Sequence, residues 1–142
     1  MLTIIQKELT IMRTLNHHNI LNYNVAFIHG SEVWLTMHIM EGGSVYDIMK
    51  MTQAQGIKDE GIRAYVLYET LKGLEYFHNS GQIHRDIKCS NILLDLNGKV
   101  FLGDFGVAAK IKKGTQRTTF VGSPCWMAPE IIGEVNIIIL LS

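Results

Sequence analysis

The sequence predicts an α+β fold, and two kinds of pattern along its 142 residues point to this class. Residues 3–15 and 59–79 repeat apolar side chains at helical spacing. Residues 25–40 and 92–102 instead contain strand-like runs, each interrupted by a turn. The order is helix, two strands, helices, two strands and a loop, which is typical of an α+β domain rather than of an alternating α/β fold.

The first predicted helix runs from Thr3 to Leu15. At about 100° per residue its apolar side chains fall within one broad arc, with polar side chains opposite. Glu8 is the exception, because its carboxylate lies near the middle of the apolar arc, where an unpaired buried charge is costly. Two interpretations remain open: Glu8 reaches solvent from the helix edge, or it faces a cationic partner.

The strand pairs and the second helix follow. The runs "VAFIH" and "VWLTMHIM" predict a hairpin that turns around Gly30-Ser31-Glu32. The segment "EGGS" reads as a flexible turn. From Asp59 to Asn79 a helix carries apolar residues on two sides, which predicts a central helix covered from two directions. In "ILLDLNGKVFL", Asn97-Gly98 predicts the turn of a second hairpin.

Composition excludes several function classes. Thirteen basic and thirteen acidic residues give no net charge, so we expect no nucleic-acid partner. Cys89 and Cys125 suit neither a disulfide scaffold nor a metal site, and we interpret them as reduced thiols. Charged residues interrupt the early apolar run, and "IIILL" is far shorter than the about 20 residues of a membrane span. We therefore expect a cytoplasmic protein without a membrane span.

The residues that suit a chemical reaction are concentrated between Asp86 and Asp104. Phosphoryl transfer needs positioning and charge neutralisation more than covalent chemistry. In "HRDIKCSN", Asp86 could accept the proton of a substrate hydroxyl and Lys88 could meet the γ-phosphate. Asn91 and Asp104 of "DFG" offer the oxygen ligands that Mg²⁺ favours.

The motifs "HRDIKCSN", "DFG" and "APE" occur in this order, with a predicted hairpin between the first two, and together they resemble the eukaryotic protein kinase fold. Lys88 in "HRDIK" resembles the serine/threonine class. "FVGSPCWMAPE", "EGGSVYDIM" and "GLEYFHNSGQIHRDIKCSNILL" resemble the sterile-twenty-like kinases, and within them the oxidative-stress-responsive and SPAK branch. The resemblance extends from about residue 4 to residue 132 and implies ATP and Mg²⁺ as cofactors and a protein Ser or Thr as substrate.

The resemblance also implies where ATP and Mg²⁺ would bind. Mg²⁺ would be held by Asn91 and Asp104. The ATP-binding positions would be the gatekeeper Met37, the hinge residue Met40, Ser44 or Asp47 near the ribose, and Leu93 on the floor of the adenine pocket.

Four further residues would have structural roles by the same resemblance. Glu8 in "KELTIM" matches the αC glutamate that pairs with a lysine on strand three, which would explain a carboxylate in the apolar arc. Met12, His84 and Phe105 match positions of the regulatory spine.

The activation segment supplies another group of implied positions. Arg85 would pair with a phosphorylated residue of this segment, with Thr119 as the phosphosite and Thr118 as the neighbouring candidate. The kinase that modifies Thr119 would be of the with-no-lysine type. Ser123 stands where the family usually has threonine beside the catalytic aspartate, and Glu130 belongs to the "APE" motif.

The sequence departs from the family pattern at both ends, and we expect a truncated kinase-like fold. No G-x-G-x-x-G loop or strand-three lysine precedes the αC helix, and "GEVNIIILLS" stands where helix αF is expected. Residues 1–40 would form a partial N-lobe with αC, strands four and five and the hinge. Residues 41–133 would form a partial C-lobe ending after the APE motif, and residues 134–142 a divergent tail.

Two functions remain open from the sequence. One is a serine/threonine kinase that transfers the γ-phosphoryl group of Mg-ATP to a protein. The other is a non-catalytic kinase fragment, or a truncated gene product, that acts as an interaction module or decoy. A degenerate pseudokinase fits less well, because pseudokinases usually lose the catalytic or the metal-binding aspartate, and both are retained.

Overall fold

The structure of the protein is a computed structural model, and it describes residues 9–52, 56–110 and 121–133. These ranges contain both helices and strands in the predicted order, which confirms the α+β class. The helices are α1 (9–14), α2 (Val45–Met51), α3 (Glu60–Asn79) and α4 (Pro129–Gly133). The strands are β1 (Tyr23–His29), β2 (Glu32–Met37), β3 (Gly43–Ser44), β4 (Gln82–Ile83), β5 (Ile92–Leu94), β6 (Val100–Leu102) and β7 (Ala109–Lys110).

The strands form three small antiparallel sheets. In the first sheet, β1 pairs with β2, and His29 lies opposite Glu32, so Gly30 and Ser31 alone form the turn. Gly30 has a φ of 61°, a left-handed conformation that glycine adopts without steric cost. The predicted hairpin is confirmed, although Glu32 belongs to the strand rather than to the turn. The other two sheets have the strand orders β3-β5-β6 and β4-β7.

The hairpin between β5 and β6 differs from its prediction in the type of turn. Gly98 donates to the carbonyl of Asp95, and Asp95 donates to that of Lys99, so three residues form the loop. Of these only Gly98 has a positive φ, 76°, whereas a two-residue Asn-Gly turn would also need a positive φ at Asn97. The Asp95 carboxylate favours the longer loop because it accepts the backbone N–H groups of Asn97 and Lys99, at 2.8 and 2.9 Å.

Helix α3 is buried along one face. The Asp59 carboxylate caps its first turn by accepting the N–H of Ile62 at 2.9 Å. The buried residues recur at helical spacing and are Val66, Thr70, Gly73 and Phe77. On the opposite side Leu67, Tyr68 and Leu71 are 60 to 62% exposed, so the described residues cover this helix from one direction and not from the predicted two.

Two hydrophobic clusters hold the elements together. The first joins α1, α3 and β6 with Phe105, through Ile11, Met12, Leu15, Ile20, Phe77, Leu102, Phe105 and Ala108. The second lies between α2, α3 and the β5–β6 hairpin and contains Val45, Val66, Ile92 and Val100. Because β6 ends at Leu102, the first cluster fixes the backbone two residues before Asp104.

Substitutions on the two faces of α3 should change the free energy of unfolding by very different amounts. Phe77 is fully buried, so Phe77→Ala should lower the free energy of unfolding by about 3–5 kcal/mol. Leu67 is 60% exposed, so Leu67→Ala should change it by no more than about 0.5 kcal/mol. Urea unfolding followed by circular dichroism measures both. A loss for Leu67→Ala as large as that for Phe77→Ala would show that the exposed face is covered in solution.

Candidate active site

Residues 84–91, which the kinase resemblance identifies as the catalytic loop, follow β4, and this loop closes on itself through Asn91. After Ile83 the chain passes through residues 84–88 and a 3-10 turn, Cys89–Asn91, before entering β5. The Asn91 side-chain amide donates to the backbone carbonyl of Asp86 at 2.9 Å and to its Oδ2 at 3.2 Å. Asn91 is buried, so these bonds fix its orientation. The loop therefore holds the Asp86 carboxylate over the start of β5.

Asp86 also connects the catalytic loop to the segment that contains Ser123. Lys88 Nζ lies 2.7 Å from Asp86 Oδ2, and the Ser123 hydroxyl donates to Asp86 Oδ1 at 2.8 Å. Lys88 in turn donates to Ser123 Oγ at 3.1 Å. The three side chains thus form a closed ring of charge-assisted hydrogen bonds. Both oxygens of the carboxylate have donors.

These contacts determine the charge of Asp86. Burial opposes its ionisation, but hydrogen bonds from Lys88 and Ser123, the charge of Lys88 and the Asn91 amide outweigh burial, so the pKa of Asp86 lies below its ordinary value of 3.8. The Asp86 carboxylate is therefore ionised at neutral pH and can accept a proton from a neighbouring hydroxyl.

Asp104 lies beside Asn91 across the β5–β6 hairpin, because Gly103 N–H donates to the Asn91 carbonyl at 2.9 Å. Its side chain is exposed, and among the described residues its Oδ1 accepts a single long contact, of 3.4 Å from Gly106 N–H. No described residue donates to Asn91 Oδ1. Asn91 lies just before β5 and Asp104 just after β6, so an exposed carboxylate and an amide oxygen come together at one end of this hairpin. They fit Mg²⁺, which prefers oxygen ligands and keeps several non-protein ligands.

His84 and Phe105 lie in the core beneath the two aspartates. His84 Nδ1 accepts the N–H of Asp86 at 3.3 Å, which leaves Nε2 to donate to the Gly103 carbonyl at 3.0 Å. Burial is the main cause that lowers the pKa of His84, although the Gly103 carbonyl and the nearby aspartates oppose it. The imidazole is therefore neutral and ties the catalytic loop to the residue before Asp104.

Phe105 is buried among the residues predicted for the regulatory spine. Its ring lies 5.3 Å from that of His84, and Met12 belongs to the same hydrophobic cluster. Phe77 completes this stack, with its ring 5.4 Å from Phe105 and 5.8 Å from His84. The sequence interpretation did not assign Phe77 to the site, although its place on the apolar arc of α3 indicated burial.

Arg85 joins the catalytic loop to the segment after Phe105. Its guanidinium donates through Nε and Nη2 to the Val107 carbonyl, the Nε bond being 2.7 Å long. Arg85 has a φ of 70° and Asp104 a φ of 60°, both unusual for residues other than glycine. Gly122 packs against the Arg85 carbonyl so closely that any Cβ at this position would overlap the oxygen.

The positions implied for ATP lie in β2, β3, α2 and β5 or between them. Met37 is exposed at the end of β2, and Met40 and Leu93 are half-buried. Ser44 and Asp47 form a capping box at the start of α2: Ser44 accepts the Asp47 N–H at 3.1 Å, and its hydroxyl donates to Asp47 Oδ2 at 2.5 Å. The Ser44 hydroxyl lowers the pKa of the Asp47 carboxyl.

Three predicted positions, Glu8, Thr118 and Thr119, lie outside the described residues. Glu130 is exposed in α4. In the described ranges no cluster of three histidine, cysteine or acidic side chains could bind a metal ion. A Mg²⁺ site here would consist of one carboxylate, one amide and ligands from the nucleotide and water.

The ring around Asp86 predicts a measurable change of pKa. Lys88→Met removes both a hydrogen bond and a positive charge, so the pKa of Asp86 should rise, as carbon NMR of the carboxyl would report. Since the folded pKa of Asp86 is lowered, its contribution to stability is present above pH 3.8 and is lost as pH falls through the folded value. Lys99→Met, which removes an exposed lysine, is the control. Equal Asp86 titrations in both variants would contradict the assigned contact.

Comparisons with known proteins show the family of the chain. The protein kinase domain model matches residues 2–138. The chain is 47% identical over 93% of its length to the serine/threonine-protein kinase fray2 of Dictyostelium discoideum. It is 44% identical over 91% of its length to germinal center kinase 3 of Caenorhabditis elegans and to the serine/threonine-protein kinase ste20 of Aspergillus oryzae. It spans 13, 24 and 15% of the lengths of these three relatives. None of the described helices has the length and apolar character that a membrane crossing requires. The chain belongs to the protein kinase family, as a Ste20-like member.

Proposed function

We propose that this chain carries the phosphoryl-transfer site of a protein serine/threonine kinase, with ATP as phosphoryl donor and a protein hydroxyl as acceptor. The observation that carries the proposal is the ionised Asp86 carboxylate, held by Lys88, Ser123 and Asn91. A substrate hydroxyl could replace the Ser123 hydroxyl or approach beside it and would meet an acceptor that is already oriented.

Lys88 has two roles in this proposal. Its ammonium group lies 2.7 Å from the Asp86 carboxylate and keeps the pKa of that carboxyl low. Its three N–H donors also allow it to contact a phosphate oxygen while it remains bound to Asp86. A positive charge fixed beside Asp86 would stabilise the negative charge of the phosphoryl group as this group is transferred to the attacking hydroxyl oxygen.

Asn91 and Asp104 are the residues that would hold Mg²⁺. When bound, ATP would supply the phosphoryl group, and Mg²⁺ would neutralise the charge of the phosphate oxygens. The Asp86 side chain and backbone orient the Asn91 amide, and the Gly103–Asn91 hydrogen bond brings Asp104 to the same edge. Met37, Met40 and Leu93 would contact the adenine. Ser44 is buried in the cap of α2, so Asp47, which is exposed, is the more accessible ribose contact.

The finer assignments are also proposals. The quoted motifs support a place near the oxidative-stress-responsive and SPAK branch and a division into a partial N-lobe over residues 1–40 and a partial C-lobe over 41–133. The charged residues that interrupt the early apolar run support a cytoplasmic location. A non-catalytic interaction module is the second candidate function. The exposed apolar face of α3, with Leu67, Tyr68 and Leu71, favours it.

A transfer assay distinguishes the two candidates. The purified chain, given radiolabelled ATP, Mg²⁺ and a generic protein substrate, should transfer phosphate at a rate that falls about 10²–10⁴-fold in Asp86→Asn, because this change removes the proton acceptor. Glu75→Gln, which alters an exposed acid on α3, is the matched control and should keep the activity. Equal transfer by the wild-type chain and Asp86→Asn would contradict the proposed site and favour the interaction module.

We also propose that an upstream kinase phosphorylates Thr119. The motif "RTTF" and the resemblance of the surrounding segment support this site. Incubation with a kinase of the with-no-lysine type should add phosphate to Thr119, which phosphopeptide mass spectrometry would detect. Thr119→Ala should abolish the modification, whereas Thr118→Ala should leave it intact. Phosphate on Thr118 alone would contradict the assignment.

A further inference from the structure

The loop between α1 and β1, residues 16–22, is tied to two other elements through Asn19. This side chain is 2% exposed, and its amide donates to Glu69 Oε2 on α3 at 2.8 Å and to the Val100 carbonyl on β6 at 2.9 Å. Lys72 holds the other oxygen of Glu69 at 3.0 Å. Because Asn19 Nδ2 has two acceptors on different elements, it fixes the loop against both.

The backbone of the same loop pairs with β6. Leu102 N–H donates to the Asn19 carbonyl at 2.8 Å, and Leu21 N–H donates to the Leu102 carbonyl at 2.9 Å. Gly73 permits the close approach of the loop to α3, since a Cβ there would lie 3.0 Å from the Asn19 carbonyl oxygen. The loop therefore connects α1, α3 and the strand that leads to Asp104.

Two histidines lie at the point where this loop rests on α3. The His17 ring stacks on Tyr76 with centroids 4.8 Å apart, and the His18 ring lies 4.1 Å from His17. His17 Nδ1 accepts the N–H of Asn19 at 3.2 Å. A nitrogen that accepts a hydrogen bond carries no proton, so the observed loop needs neutral His17.

We propose that His17 and His18 form a proton-sensitive clamp, in which protonation of His17 releases the Asn19 segment from α3 and β6. Protonation at Nδ1 turns the acceptor for Asn19 N–H into a donor, so two N–H groups then face each other. It also places a positive charge beside His18 and near Lys72, where the repulsion acts against the stacked arrangement.

The charges around His17 agree with this role. Burial, His18 and Lys72, in decreasing order, lower the pKa of His17 from its ordinary value of 6.5, and Glu69 opposes them. Tyr76, which stacks on the ring, is a further titratable neighbour on α3. With a lowered folded pKa, the contribution of neutral His17 to stability is present above pH 6.5 and is lost as pH falls through the folded value.

The consequence for the site follows from the position of β6. Leu102 is two residues before Asp104, so release of the loop would loosen the strand that positions the proposed Mg²⁺ ligand. This consequence rests on the proposed function. The clamp itself does not, since its hydrogen bonds can be measured without any phosphoryl transfer.

Amide hydrogen exchange of the full chain, read residue by residue by NMR, tests the clamp. Between pH about 7.5 and about 5.5, on either side of the usual histidine pKa, the protection of the Asn19 and Leu102 amides should fall about tenfold in the wild type after correction for intrinsic exchange. In His17→Asn this change should disappear, because the asparagine oxygen can accept the N–H two residues on but does not titrate in this range. His38→Asn, which removes an exposed histidine of the β2–β3 connection, should behave as the wild type.

Two outcomes would overturn the clamp. One is an equal loss of protection in the wild type and His17→Asn, which would assign the pH effect to another group such as His84. The other is a directly titrated His17 pKa at or above 6.5 in the folded wild-type chain. The titration needs no variant, so the proposal stays testable even if His17→Asn does not fold. A chain that shows the clamp but transfers no phosphate would refute the proposed function alone.

Discussion

The Asp86 carboxylate is the group on which the arrangement of the site depends. It is partly removed from solvent and carries a charge, so it must have donors. Three side chains supply them: Lys88 and Asn91 in its own loop and Ser123, 37 residues further along. Removing any donor would leave a charge that is only partly compensated. The hydrogen bond from Ser123 that stabilises the ionised carboxylate therefore also holds residues 121–123 against the catalytic loop.

The strained backbone beside this carboxylate has a related explanation. Left-handed φ values at residues with a Cβ cost of the order of 1–3 kcal/mol each and persist only where contacts fix them. At Arg85 the guanidinium bonds to Val107 and the close approach of Gly122 fix the conformation. At Asp104 the preceding and following residues are fixed, Gly103 by Asn91 and Phe105 by its buried ring. Polar bonds and core packing therefore act together to expose the Asp104 carboxylate.

Much of the site could be predicted from the sequence because its residues are close together in the chain. The spacing in "HRDIKCSN" and "DFG" predicted a site that includes Asp86, Lys88 and Asn91, and the structure brings these three side chains into contact. Their chemical roles stay a prediction. The role of Phe77 was not predicted, because its partner Phe105 is distant in sequence. The cap formed by Ser44 and Asp47 was missed although a signal existed, since serine followed three residues later by an acidic side chain before an apolar run indicates a helix start. The second hairpin was predicted, but the Asp95 carboxylate determined its turn.

Within the described residues, the polar groups of the site have hydrogen-bond partners, whereas part of the apolar surface remains exposed. Around Asp86 both carboxylate oxygens have donors within residues 86–123. The β1–β2 hairpin instead leaves Phe27, Ile28 and Trp34 largely exposed, and it pairs with no other described strand. A two-stranded sheet of this kind is marginally stable alone.

Since the hydrogen bonds of the site involve neither strand of the β1–β2 hairpin, the orientation of Asp86 and Asn91 should not depend on this hairpin. The proposed binding of adenine near Met37 should depend on it, because Met37 ends β2. The hydrogen bonds that orient the residues proposed for phosphoryl transfer and the packing that would shape the proposed nucleotide pocket are therefore separate properties of this chain.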